Sequence, residues 1–263
     1  MNYLRRTGLA FLIGLPIVFL SGCLNDDEDY TGRIKATDQI AIQNNILIQE
    51  FAIEHPGWLA IYRSVSGTPA ELLIKPVYLN SKGKFTNNFI QFDSTAHLED
   101  GMEALIMLHV DNGEPGKFEY SPGGALDQPV VVNEQEVKDV IKISSPFVSV
   151  EDQPIEDNKI VIDEVQTAFR SWVGVYLLGE EGELGDLAGF APINQSPLKD
   201  IEVKLNTSLT YEPGDLLAVR LHVNDSDDPA KDPDKLNYPD GNDVPQVFGY
   251  EENNEIISYF TIQ

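Results

Sequence analysis

Apolar residues along this chain fall into two kinds of run. One occurs at the N-terminus, where twelve apolar or small residues from Leu9 to Leu20 follow Arg5 and Arg6 and precede Ser21, Gly22 and Cys23. From residue 33 onward the runs are short, rich in Ile, Val, Tyr and Phe, and separated by Gly, Pro, Asn and Asp. That punctuation predicts β-strands joined by turns. The predicted strands lie near 33–37, 45–53, 58–63, 72–79, 85–92, 102–110 and 137–144, then 147–150, 159–165, 172–177, 186–192, 198–205, 216–223 and 255–262. Residues 102–110 (MEALIMLHV) have helical propensity, but the related stretch 216–223 (LLAVRLHV) is more β-branched, so both are expected to be strands.

These two stretches belong to an internal repeat. Asp38-Gln39 recurs 114 positions on as Asp152-Gln153, Ile46–Phe51 as Ile160–Val165, and Trp58–Tyr62 as Trp172–Tyr176. Leu108-His109-Val110 recurs 113 positions on as Leu221-His222-Val223. The run Lys117–Tyr120 then matches Lys235–Tyr238 at 118, which places a net insertion of five residues after His222. Asp127-Gln128-Pro129 matches Asp243-Val244-Pro245. A fixed period means that one structural unit occurs twice. The units span 33–145 and 146–263, joined at Ser144-Ser145-Pro146. Seven short strands in each unit is the count of an immunoglobulin-like sandwich. The expected fold class is therefore all-β, with two tandem immunoglobulin-like β-sandwich domains, and Trp58 and Trp172 are expected to pack between the two sheets of each.

The N-terminal run is too short to cross a bilayer comfortably, which takes about 20 apolar residues. With its basic start and small-residue end it reads as an export signal over residues 1–22. The ending Leu20-Ser21-Gly22-Cys23 resembles the lipobox of bacterial lipoproteins, and the chain's one cysteine stands where that motif requires its thiol. The resemblance implies cleavage before Cys23 and its lipidation, hence a membrane anchor made of lipid. Leu24 follows the cysteine where Asp would favour inner-membrane retention in enteric lipoproteins, so the resemblance points to the outer membrane. Residues 23–32 then form an acidic tether.

Charge narrows the partners. The sequence has 43 acidic and 18 basic residues, a net charge of -25 and a pI near 4.3. Removing residues 1–22 takes away Arg5 and Arg6 and no acid, leaving 43 acidic against 16 basic residues, a balance of -27. Nucleic acid and anionic lipid repel such a chain. Blue-copper chemistry needs a cysteine thiolate, and the one cysteine is committed to lipid. The chain carries no Gly-x-Ser-x-Gly elbow and no phosphate-binding glycine loop. No enzymatic activity is expected.

What chemistry remains sits at the repeated histidines. His109 and His222 end matching strands and precede acidic loops. One reading is that each imidazole ties its strand end to the following loop by a hydrogen bond. The other makes the loops a cation site: Asp225, Asp227, Asp228, Asp232, Asp234, Asp240 and Asp243 lie within twenty residues, and carboxylates in a loop are what Ca2+ takes. On that reading His222, Asp225, Asp227, Asp228, Asp232, Asp234 and Asp243 are the candidate ligands, with His109, Asp111 and Asp127 as their first-unit counterparts. The spacing fits no EF-hand.

The repeated motifs, Asp-Gln, Gly or Ser before Trp, Leu-His-Val, an acidic loop and Asp-x-Pro, resemble a domain of unknown function. That domain recurs in surface and secreted proteins of halophilic archaea and in some bacterial lipoproteins. The resemblance implies a β-sandwich outside the cytoplasm and carries no established activity. The second unit departs from the pattern in its insertion and in Asn237, which replaces Glu119. The favoured expectation is a non-catalytic envelope lipoprotein acting in binding, adhesion or assembly, with an envelope protein or glycan as partner. A divalent-cation binding protein is the alternative, and an extracytoplasmic enzyme ranks last.

Overall fold

The computed structural model describes residues 31–179, 181–224, 236, 238, 243–250 and 254–263. Residues 23–30, with Cys23 and most of the tether, and residues 225–235, 237 and 239–242 of the acidic loop lie outside the described residues. The first half holds β1 (Arg33–Lys35), β2 (Gln39–Ile40), β3 (Asn45–Ile53), β4 (Gly57–Val65), β5 (Thr68–Leu72), β6 (Val77–Leu79), β7 (Gly83–Gln91), β8 (Met102–Val110), β9 (Val131–Val132), β10 (Gln135–Glu136) and β11 (Lys138–Ser144). The second holds β12 (Phe147–Ser149), β13 (Lys159–Gln166), β14 (Ser171–Leu178), β15 (Leu184–Ile193), β16 (Leu198–Lys204), β17 (Leu216–Val223) and β18 (Ile257–Thr261). Among the described residues there is no helix, so the fold is all-β as the apolar pattern predicted.

Each half is a sandwich with its own core. In the first, the sheet β1-β3-β7 faces the sheet β2-β11-β8-β4-β5, and Ile46, Ile48, Leu59, Ile61, Ile106 and Leu108 fill the space between. In the second, β12-β13-β16 faces β15-β14-β17-β18 over Ile160, Ile162, Val173, Val175, Val219 and Leu221. Side chains alternate along a strand, so one face of β4 supplies Leu59 and Ile61 to the core while Trp58, Ala60 and Tyr62 point the other way.

That alternation corrects two expectations. Trp58 and Trp172 are buried, at 5% and 2% exposure, but on the outer face of the larger sheet and not between the sheets. Trp58 rests there against Tyr78 and Phe118, and Trp172 against Phe190. The single strand expected over 72–79 is two, β5 and β6, each paired with β4. Leu73 and Ile74 turn into the core between them, and Pro76 lacks the N–H that a continuous ladder needs.

The halves share their local solutions. Gln39 donates to the Leu47 carbonyl and accepts from the Leu47 N–H, and Gln153 does the same with Val161. Both halves turn a hairpin on two residues of positive φ, Gln43-Asn44 (48° and 61°) and Asp157-Asn158 (49° and 62°). Such φ pairs match the twist of two-residue hairpins.

Candidate functional site: a capped histidine on each sandwich

The site grows from cross-strand register. Trp58 stands opposite His109 on β4 and β8, and Trp172 opposite His222 on β14 and β17. With a period of two, His109, Met107 and Leu105 join Trp58, Ala60 and Tyr62 on the outward face. The strands approach closely at one end: a Cβ on Gly57 would lie 2.1 Å from the His109 carbonyl oxygen. Phe118 and Tyr120, from the loop after β8, cover this face and bury it as a second small core.

His109 and His222 are fully buried. Nδ1 of His109 is 2.8 Å from the Asp127 carbonyl oxygen and Nδ1 of His222 is 2.8 Å from that of Asp243. A carbonyl oxygen only accepts, so the ring hydrogen is on Nδ1 in both. Nε2 is then an acceptor, filled by the Tyr62 hydroxyl at 3.2 Å and by the Tyr176 hydroxyl at 2.8 Å. Burial is the main cause that lowers both imidazoles; His222 falls to about 4, with the Arg220 charge adding to the effect. Burial likewise raises both phenols, Tyr176 to about 12. At neutral pH each site is an uncharged Tyr–His–carbonyl chain that ties the end of a strand to its loop.

Around this shared chain the pockets differ. Tyr120 packs against His109 with ring centroids 4.5 Å apart and Tyr238 against His222 at 4.9 Å, the rings tilted in both. Where the first half has Met107, the second has Arg220, only 3% exposed, with its guanidinium over Tyr176 and Tyr238 and a 3.0 Å ion pair to Glu255. Its Nε also points at Nε2 of His222, at 3.3 Å. Below the second histidine, buried Gln246 donates to Ser171 and Thr167.

The candidate ligands separate accordingly. Both oxygens of Asp127 accept backbone N–H groups, from Asn112 at 3.2 Å and Glu119 at 2.6 Å, so this carboxylate folds its own loop. Asp111 accepts from Gly116. Both ring nitrogens of His109 and of His222 are engaged in these hydrogen bonds. Asp243 is buried beside His222. Asp225, Asp227, Asp228, Asp232 and Asp234 lie outside the described residues. Among the described residues no group of three or more His, Cys, Asp or Glu side chains is placed to hold a metal.

Sequence reasoning missed Tyr62, Tyr176 and Arg220. The tyrosines were present in the repeat as the last residue of Trp58–Tyr62 and Trp172–Tyr176, and Arg220 was legible as the one charge inside an apolar strand.

No functionally curated protein matches this sequence. Two solved structures align with 86% of the chain and 97% of their own, each at 10% identity: CBD12 from CALX1.2 at a TM-score of 0.22, and the calcium binding domain CBD12 of CALX1.1 at 0.19. The calcium binding in the second title belongs to that protein. Residues 32–144, the first sandwich with His109 and its loop, match the model of the family described as Domain of unknown function (DUF7282).

Proposed function

We propose that this protein is an exported lipoprotein, anchored through Cys23 and directed to the outer membrane by Leu24, whose two sandwiches are copies of one domain. They serve as a non-catalytic binding or assembly module of the cell envelope, toward another envelope protein or a glycan. One observation carries the reading. The groups with most chemical potential, His109 and His222, are consumed as pins that hold long loops onto a rigid sheet. Loops presented by a rigid scaffold are the usual place for recognition. Photo-crosslinkers placed at exposed Glu114 and Leu126 of the first loop should give discrete adducts in intact cells. No adduct from either position would overturn the reading. Cys23→Ser should release the protein from the membrane fraction, and a variant that stays bound and is processed normally would refute the anchor.

A second reading rests on composition: seven aspartates within the twenty residues from Asn224 to Asp243 suit a hard cation, and Ca2+ takes six to eight oxygens. With His222 engaged, the ligands would be oxygens alone, from Asp225, Asp227, Asp228, Asp232, Asp234 and Asp243. Calorimetry should show a site of micromolar to millimolar affinity that Asp225→Asn with Asp227→Asn removes. Equal stabilisation by Ca2+ and Na+ at matched ionic strength would reduce the loop to a screened charge cluster.

A further inference from the structure

The hairpin that follows the second acidic loop belongs to two places at once. Its base lies in the second half. The Asp243 carbonyl holds His222, Val223 N–H donates to the Val244 carbonyl, Gln246 N–H donates to the Leu221 carbonyl, and Arg220 pairs with Glu255. Its tip lies on the first half. Asn44 donates to the Gly249 carbonyl at 2.8 Å and accepts from the Gly249 N–H at 2.7 Å. Gln43 treats Pro245 and Val247 in the same way, at 3.0 and 2.8 Å. Two side-chain amides thus read the backbone of this segment as a neighbouring strand would. Tyr250 donates to the Phe92 carbonyl at 2.6 Å, and Phe248 and Tyr250 pack on the first core.

The corresponding hairpin of the first half has no such reach. It closes on Asn133-Glu134, with Val131 opposite Glu136, whereas Val247 stands opposite Glu255, three residues further along. The longer tip is what enters the other half. In the second half the turn equivalent to Gln43-Asn44 is Asp157-Asn158, where Asp157 is exposed and Asp replaces the amide that both gives and accepts.

We propose that the segment from Asp243 to Tyr250 is a coupling strap: docking of its tip onto Gln43-Asn44 and closure of its base over His222 are one cooperative event. The state of the second histidine pocket and the relative orientation of the two sandwiches are then linked, and linkage between two sites is reciprocal. Both ends are held through the same eight residues, so a displacement at Gly249 reaches Pro245 and Val244 with no slack loop between.

The duplication supplies the control. In the mature chain with Gln43→Ala and Asn44→Ala, amide exchange of Val223 and Gln246 should accelerate at least tenfold. Their counterparts Val110 and Val130, bonded to Gln128 and Leu108, should keep their protection. Asn44→Asp, which keeps the size and loses the donor, should give a smaller acceleration at the same two amides. In the reverse direction, spin labels at exposed Val65 and Tyr259, one on each half, should report a broader distance distribution in His222→Gln than in wild type. Unchanged exchange at Val223 and Gln246, equal acceleration in both halves, or an unchanged distance distribution would each overturn the proposal.

Discussion

Met107 and Arg220 hold the same register position in the two halves, each two residues before a buried histidine and opposite Ala60 or Gly174. Met107 lies with Ala60, Tyr62 and Leu105 beneath Phe118 and Tyr120, a filling held by dispersion and area burial alone. Arg220 lies between Tyr176 and Tyr238 and must be compensated there, by two aromatic faces and by Glu255. Backbone register and the Tyr–His–carbonyl chain are the same in both. The register therefore does not require a charge at this position, and the arginine ties the second pocket to the hairpin that carries Glu255.

The largest expected effect tests what the pockets share. Trp172→Ala removes an indole at 2% exposure, and Trp58→Ala one at 5%; each should cost about 3–5 kcal/mol in denaturant unfolding. A loss below about 1 kcal/mol at either would show that the outer face is not a true core.

Acid should act on both halves through the buried imidazoles, which burial lowers in each. His222 has a folded value near 4 against an ordinary 6.5, so the unfolded chain takes up its proton first as pH falls. Its contribution is fully present above pH 6.5 and is lost progressively down to pH 4, about 3 kcal/mol in all. The carboxylates held down by partners, such as Glu119 by the Glu114 N–H and Lys117, lose their contribution only below about pH 4.5. Amide exchange between pH 7 and 5 should therefore show the core of the second half losing protection, and His222→Gln should flatten that dependence. An unaltered profile in the variant would assign the acid sensitivity elsewhere.

Exchanging the fillings sharpens the contrast. Arg220→Met makes the second pocket resemble the first and should be neutral or stabilising by about 1–4 kcal/mol, since Glu255 can return to water. Met107→Arg, which must desolvate a guanidinium where the first half offers only exposed Glu136 in the place of Glu255, should be destabilising. Thermal melts of the two variants check both signs. The smallest effect concerns the whole chain: its excess of acid should raise Tm from low to moderate NaCl, and a flat curve would mean that the acids are spaced too far apart to repel.

Much of this was legible in the residues. Short runs rich in Ile, Val, Tyr and Phe, such as Ile46–Ile48 and Trp58–Tyr62, bounded by Gly, Pro, Asn and Asp, located the strands to within a few positions. The 72–79 strand was misread because Leu73 and Ile74 are apolar whether they continue a ladder or turn inward. The histidine pins were foreseeable as one of two readings, since a strand-end imidazole beside an acidic loop can bond either to backbone or to a cation.

The sequence by itself determined the all-β class, the recurrence of short motifs 113 to 118 residues apart, and the placing of a tryptophan at the start of one strand and a histidine at the end of another in each half. These follow from local composition and from identity at nearly fixed spacing, both of which are properties of the chain read in order. Tertiary structure alone decided that the tryptophans face outward, that the ring hydrogen sits on Nδ1, and that Gln43-Asn44 grips Pro245 to Gly249, some 200 residues away. Alternation defines two faces of a strand but not which one a distant loop will cover. A polar turn reads as solvated until another backbone, brought in by the fold, offers its N–H and C=O.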